Sequence, residues 1–164
     1  MDYPLPVAVV LHRGKDSGDA LLELLARASA LPVAEAHDKE PLLPGHVYPA
    51  PPDYHLLVEG NHLTLSVEPP VSSARPSVDV LFESPADAWG PGAIAVLLTG
   101  ASTDGAQGVA RVKQRGGVVL VQDPETAASP VLPKAALAAV PVDAVASPAE
   151  LAPLLVRLCR PDGK

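Results

Sequence analysis

The chain has 164 residues and a formal charge of −7 with no basic block, which argues against a nucleic-acid partner, because phosphate binding needs clustered Lys and Arg. Hydrophobic residues make up 48% and aromatics 3%, which excludes a disordered chain and predicts a core of Val, Leu and Ala. The lone Cys159 excludes an intramolecular disulfide, no apolar run is long enough to span a bilayer, and Met1-Asp2-Tyr3-Pro4 does not open a secretory signal; a soluble cytoplasmic protein is expected.

Val7-Ala8-Val9-Val10-Leu11 is a continuous β-branched run and predicts a strand buried on both faces of a parallel sheet. A helix is predicted from about Ser17 to Ala30, with Leu21, Leu24, Leu25 and Ala28 at helical spacing and Ser17 or Asp19 as its cap. Val33 to Ala36 reads as a short strand and Pro41 to Gly45 as a turn. From Val47 to Val67 the period changes to two, with Gly60-Asn61 as a tight turn, which predicts a β-hairpin insertion with one solvated face. Helical spacing returns from Ser77, with Pro85 expected to kink or restart the helix. Ala93 to Leu98 is a second buried strand, and a Gly-rich loop over 99–108 leads into a helix ending near Arg115 with Gly116 as its cap. Val118 to Val121 is a third buried strand. Ser147-Pro148-Ala149-Glu150 is a capping box that opens a last helix reaching about Cys159. Strands alternating with helices predict an α/β fold over 1–164, one domain with a mostly parallel, doubly wound sheet.

Ligands in open α/β sheets bind beyond the carboxyl ends of the strands. His12 follows the first strand, and the loop carrying Gly100, Ala101, Ser102 and Asp104 follows a later one. An aspartate bonded to one imidazole nitrogen fixes the tautomer and leaves the other nitrogen free to take a hydroxyl proton. Glycines in the loop let backbone N–H groups approach an oxyanion. Each signal also has a plainer reading: a histidine after a strand is often structural, and a Gly-Asp-Gly turn often caps a helix or binds phosphate. His37, His46, His55 and His62 lack metal-ligand spacing, His55 and His62 are expected to be solvated beside the hairpin turn, and neither metal nor cofactor is expected.

Four segments narrow these alternatives: His12-Arg13, then 43–51 (LPGHVYPAP), then 75–82 (RPSVDVLF), then Leu98-Thr99-Gly100 with 104–108 (DGAQG). In this order they closely resemble the CheB-type chemotaxis methylesterase domain, over about Pro6 to Leu155, with Gln122-Asp123-Pro124 and 133–136 similar to a later family segment. The resemblance implies hydrolysis of glutamate methyl esters on chemoreceptors, and deamidation of some glutamines, through a Ser-His-Asp triad. It implies His12 as general base, Asp104 as the aspartate that orients it, the backbone at Gly100 and Ala101 as part of the oxyanion site, and Arg75 either as a contact for substrate carboxylates or as a salt bridge within the fold. A methylated chemoreceptor or related signalling protein is the implied partner.

The same resemblance implies a first strand running into Gly-x-Ser-x-Gly-Gly, and Met1 to Pro6 is instead similar to the connection that follows such a unit. A chain without that strand is expected to be inactive alone and marginal in stability, because unpaired buried backbone groups cost about 1–3 kcal/mol each. Gly100-Ala101-Ser102-Thr103 imitates the nucleophile wording, but its flanks place it in the aspartate loop, and Ser17 and Ser29 read as helix-end residues. No phosphoacceptor domain is read from the chain. The alternative to an esterase is a non-catalytic receptor-binding or regulatory remnant.

Overall fold

The computed structural model describes residues 3–159; Met1 and Asp2, the head of the Met1–Pro6 connection, lie outside the described residues. In chain order the strands are β1 (Val7–Val9), β2 (Val47–Pro49), β3 (His55–Glu59), β4 (His62–Ser66), β5 (Ile94–Leu97), β6 (Val118–Gln122) and β7 (Ala144–Ala146). The helices are α1 (Ala20–Ala28), α2 (Val78–Trp89), α3 (Ala106–Gln114), α4 (Val131–Ala139) and α5 (Pro148–Leu158).

The α/β alternation read from the sequence is present, and the strands fall into two parallel ladders and one hairpin. β5, β6 and β7 form one parallel ladder, with Val96 opposite Leu120 and Val121 opposite Val145. β1 pairs in parallel with β2, Ala8 opposite Tyr48, and Val33 bridges to Val47 on the other side of β2. Val47–Pro49 therefore belongs to a parallel ladder, and the antiparallel hairpin is confined to β3 and β4, turning at Gly60-Asn61 with Gly60 at φ +58°. Among the described residues, β1 and β5 each have one neighbour in their ladders and so present an open edge.

Burial separates the two ladders. Val119, Leu120 and Val121 of β6 are fully buried, and Val119 and Val121 pack with Ala95, Leu97, Val109, Val112, Leu132 and Ala136 in one apolar cluster. Each Val or Leu side chain removed from water in this way contributes about 1.5–3 kcal/mol. A second cluster joins Tyr48, Ala50, Leu56, Val58 and Leu63 to Leu81. β1, expected to be buried on both faces, is only half-buried throughout, and α1 has no buried residue, with Leu24 64% exposed. One edge of β1 has no strand paired to it among the described residues, so apolar sequence alone did not bring burial.

α2 is shared by both clusters: Leu81 lies in the second, Ala86 in the first, and Phe82 packs against each. Pro85 does not restart it; the helix runs unbroken from Val78 to Trp89. Proline cannot supply the N–H that would bond the Leu81 carbonyl. The Ser84 hydroxyl donates to that carbonyl instead at 3.2 Å, and accepts from the Val58 N–H at 3.0 Å, which fastens α2 to the hairpin.

Candidate functional site

Three chain segments build the site. β1 delivers His12 three residues beyond its last paired residue. β5 runs into the loop 98–105 that carries Asp104. The third segment, the N-terminus of α2, was assigned no such role from the sequence, and it holds the aspartate in place.

The Asp104 carboxylate is fully buried and accepts four hydrogen bonds. On Oδ1 the donors are the Ser77 hydroxyl at 2.7 Å and the Asp79 N–H at 3.0 Å. On Oδ2 they are the Val78 N–H at 2.7 Å and His12 Nε2 at 2.7 Å. Ser77 is the N-cap of α2, so Asp104 sits where the first free N–H groups of a helix point and the helix dipole favours negative charge. Burial alone would raise its pKa; the Ser77 hydroxyl, the Asp79 N–H, His12 and the Val78 N–H outweigh that and hold it below the usual carboxylate range. An acid saturated in this way stays ionised, with two donors committed to each oxygen.

His12 is the half-open member of the pair, with 39% of its side chain exposed. Bonding through Nε2 to a carboxylate puts the ring proton on Nε2 and leaves the Nδ1 lone pair as the base. His12, Arg13 and Gly14 line one side of a cleft of about 270 Å³, and Ser73, Ala74, Arg75 and Pro76 line the other. The sequence-predicted neighbours His12 and Asp104 are thus in direct contact.

The two expected oxyanion donors differ in availability. The Gly100 N–H donates to the Ser129 carbonyl at 3.1 Å, so it is not available to a substrate. The Ala101 N–H makes no hydrogen bond among the described residues, and its residue is exposed. Arg75 makes the salt bridge of its structural reading. Its Nε and Nη2 donate to Asp53 at 3.1 and 2.7 Å, and its Nη1 donates to the Val67 and Glu68 carbonyls at 2.8 and 3.0 Å. With four bonds made, the guanidinium borders the cleft as a strut between the segment after β4 and the loop before β3, and it lowers the Asp53 pKa by hydrogen bonding. Ser102 accepts from the Asp104 N–H at 3.1 Å and shapes the loop, in keeping with its reading as a decoy.

His55 is also corrected. It is buried rather than solvated: its Nδ1 accepts from the Ser77 N–H at 3.3 Å, and its Nε2 donates to the Pro69 carbonyl at 3.0 Å. It therefore backs the same serine that caps Asp104. Gln122 pins the other end of the loop, accepting from the Thr99 N–H at 2.8 Å. The only sequence signal for Ser77 and Gln122 was membership of the 75–82 and 122–124 segments. No group of three metal-binding side chains lies together among the described residues.

The chain as a whole is similar to known proteins. The CheB methylesterase family profile spans residues 1–155. The chain belongs to the CheB methylesterase family. A relative from Leptospira interrogans is 40% identical over 157 residues, covering 95% of this chain and 81% of its own length. The protein-glutamate methylesterase/protein-glutamine glutaminase 4 of Myxococcus xanthus is 44% identical over 125 residues, which are 76% of this chain but 35% of that longer protein. The crystal structure of the Thermotoga maritima CheB methylesterase catalytic domain superposes with a TM-score of 0.90 at 32% identity, covering 96% of this chain and 85% of the other. The α/β architecture is thus that of a CheB catalytic domain. Among the described residues no helix is long and apolar enough to cross a membrane.

Proposed function

We propose that the chain serves in hydrolysis of glutamate methyl esters on a methylated chemoreceptor or related signalling protein, and in deamidation of glutamine, with His12 as general base and Asp104 as the acid that orients it. The 2.7 Å contact between His12 Nε2 and a buried, charge-holding carboxylate carries this reading. Nδ1 takes the proton of a serine hydroxyl as its oxygen adds to the ester carbonyl. The same proton is returned to the departing methoxide, releasing methanol. Water then gives a proton to His12 as its oxygen adds to the acyl carbonyl, and the acyl–serine bond breaks as His12 returns that proton to the serine oxygen, leaving the free glutamate. The Ala101 N–H is a donor for the oxyanion of both steps.

None of the described serines is hydrogen-bonded to His12, so the nucleophile has to be brought to Nδ1. The open edges of β1 and β5 are where a strand bearing Gly-x-Ser-x-Gly-Gly would pair. The decisive assay is methanol release from methylated receptor by the chain as written and by the chain joined to such a strand–turn–helix unit. The first is expected to be silent. The second is expected to turn over and to lose activity in His12→Ala and in Asp104→Asn. A folded, extended protein that stays silent sinks the hydrolase reading. Turnover by the chain alone refutes the imported serine, and Ser73→Ala and Ser102→Ala then identify the hydroxyl in use, since Ser73 shares the cleft with His12. The missing hydroxyl contact also favours a second reading, a receptor-binding remnant. That reading expects receptor binding that is indifferent to His12→Ala while the extended protein remains silent.

A further inference from the structure

Asp79 lies two residues into the segment that cradles Asp104, yet its own side chain points the other way along the same junction. Its Oδ1 accepts from the Gly105 N–H at 2.9 Å and from the Gly108 N–H at 2.7 Å, while its backbone N–H donates to Asp104 Oδ1 at 3.0 Å. The two aspartates are therefore reciprocal: each carboxylate is held by backbone donors of the other's segment. Asp104 is bound by the first turn of α2, and Asp79 is bound by the residue after Asp104 and by the first turn of α3.

The junction is also sterically closed. Gly105 has φ +120°, and a Cβ there would meet Val78 Cγ1 at 2.9 Å. A Cβ on Gly108 would lie 2.7 Å from Phe82 Cβ and 3.1 Å from Asp79 Cα. Nothing but hydrogen fits at either position, so the loop reaches Asp79 only because both residues are glycine. Burial raises the Asp79 pKa, the Gly108 N–H opposes this, and the nearby Asp104 charge raises it further. A buried carboxylate beside another is costly to keep; its retention at this junction calls for a use.

We propose that Asp79 is the positioning residue of the His12–Asp104 pair, fixing the height and angle of the Asp104 carboxylate by clamping Gly105 and Gly108 onto α2. Its side chain makes no hydrogen bond to His12 and acts through the loop, by way of Gly105 and Gly108. The proposal rests on reading His12 and Asp104 as base and orienting acid.

The test uses the full chain, as Asp79→Ala and Asp79→Asn, with nuclear magnetic resonance of the His12 ring and amide exchange at Gly105 and Gly108. The amide oxygen of Asn can still accept from both glycines. Asp79→Ala is expected to speed exchange of the His12 Nε2 proton and of both glycine amides by about tenfold or more, the weight of two lost hydrogen bonds. Asp79→Asn is expected to restore the His12 signal to within about twofold of the parent, since it keeps both acceptor contacts. An unchanged His12 signal in folded Asp79→Ala overturns the proposal, and so does its loss in folded Asp79→Asn. If Asp79→Ala does not fold, Asp79→Ser takes its place: its shorter side chain stops short of Gly108, and an unaltered His12 signal there is equally fatal. These signals report the pair alone and need no turnover, so they fail independently of the methanol assay.

Discussion

The two members of the candidate pair stand on very different ground. Asp104 hangs from β5, next to a strand whose Val119, Leu120 and Val121 are fully buried, and each oxygen of its carboxylate meets two donors. His12 hangs from β1, a strand of three half-buried residues with one paired edge, beside a helix with no buried side chain. Rigidity sits with the acid and openness with the base. The contrast teaches that the aspartate side sets the geometry, while the histidine side meets whatever enters the cleft.

The largest test of that contrast is in the packing. Leu97→Ala removes a buried side chain from the β5 side and is expected to cost about 2–5 kcal/mol, whereas Leu24→Ala on exposed α1 is expected to stay within about 0.5 kcal/mol. Urea unfolding measures both; equal losses would erase the distinction. Next comes Asp104→Ala, which strands the Ser77 hydroxyl and the Val78 and Asp79 N–H groups. About 3 kcal/mol is expected, against about 1 kcal/mol or less for His12→Ala, whose loss leaves Asp104 with its three other donors. Ser77→Ala, read in the same way, should cost about 1–2 kcal/mol, because it removes both a helix cap and a donor to Asp104.

The smallest effect is in the acid limb of stability. The folded pKa of Asp104 is depressed, so its contribution is complete above the unfolded carboxylate value and is lost as pH falls through the folded value. Asp104→Asn should therefore flatten the fall in unfolding free energy below about pH 4. Asp79 and Glu83 run in the opposite sense: their raised values make a contribution that is present below the unfolded value and is lost as pH rises through the folded one. An acid limb in Asp104→Asn as steep as the parent's would show that the four donors do not hold the charge.

Local chemistry was legible and tertiary chemistry was not. The Ser147–Glu150 capping box, the Gly60-Asn61 turn and Gly116 at φ +84° after α3 were readable because each depends on residues within one turn of chain. α4 and β7 escaped, since an Ala- and Pro-rich run has no clear period and Ala144–Ala146 is too short to show one. The meeting of His12 with Asp104 was foreseen from the rule on strand ends together with the family resemblance. The roles of Ser77, Asp79 and His55 were not. Which helix start faces which loop is decided by packing 25 or more residues away along the chain, as the Asp79–Asp104 separation shows. His55 was misread for the same reason: the hairpin's alternation fixes which residues share a face, but not that Ser77 and Pro69 close over one of them.

Because one helix contributes Leu81 to one apolar cluster, Ala86 to the other, and Phe82 to the boundary, the two halves have a common hinge pin rather than a seam. Melting either cluster pulls apart the first turn of α2, and with it the seat of the carboxylate. No partly denatured form should keep the imidazole–carboxylate contact: loss of that contact and loss of the core are expected at one and the same denaturant concentration.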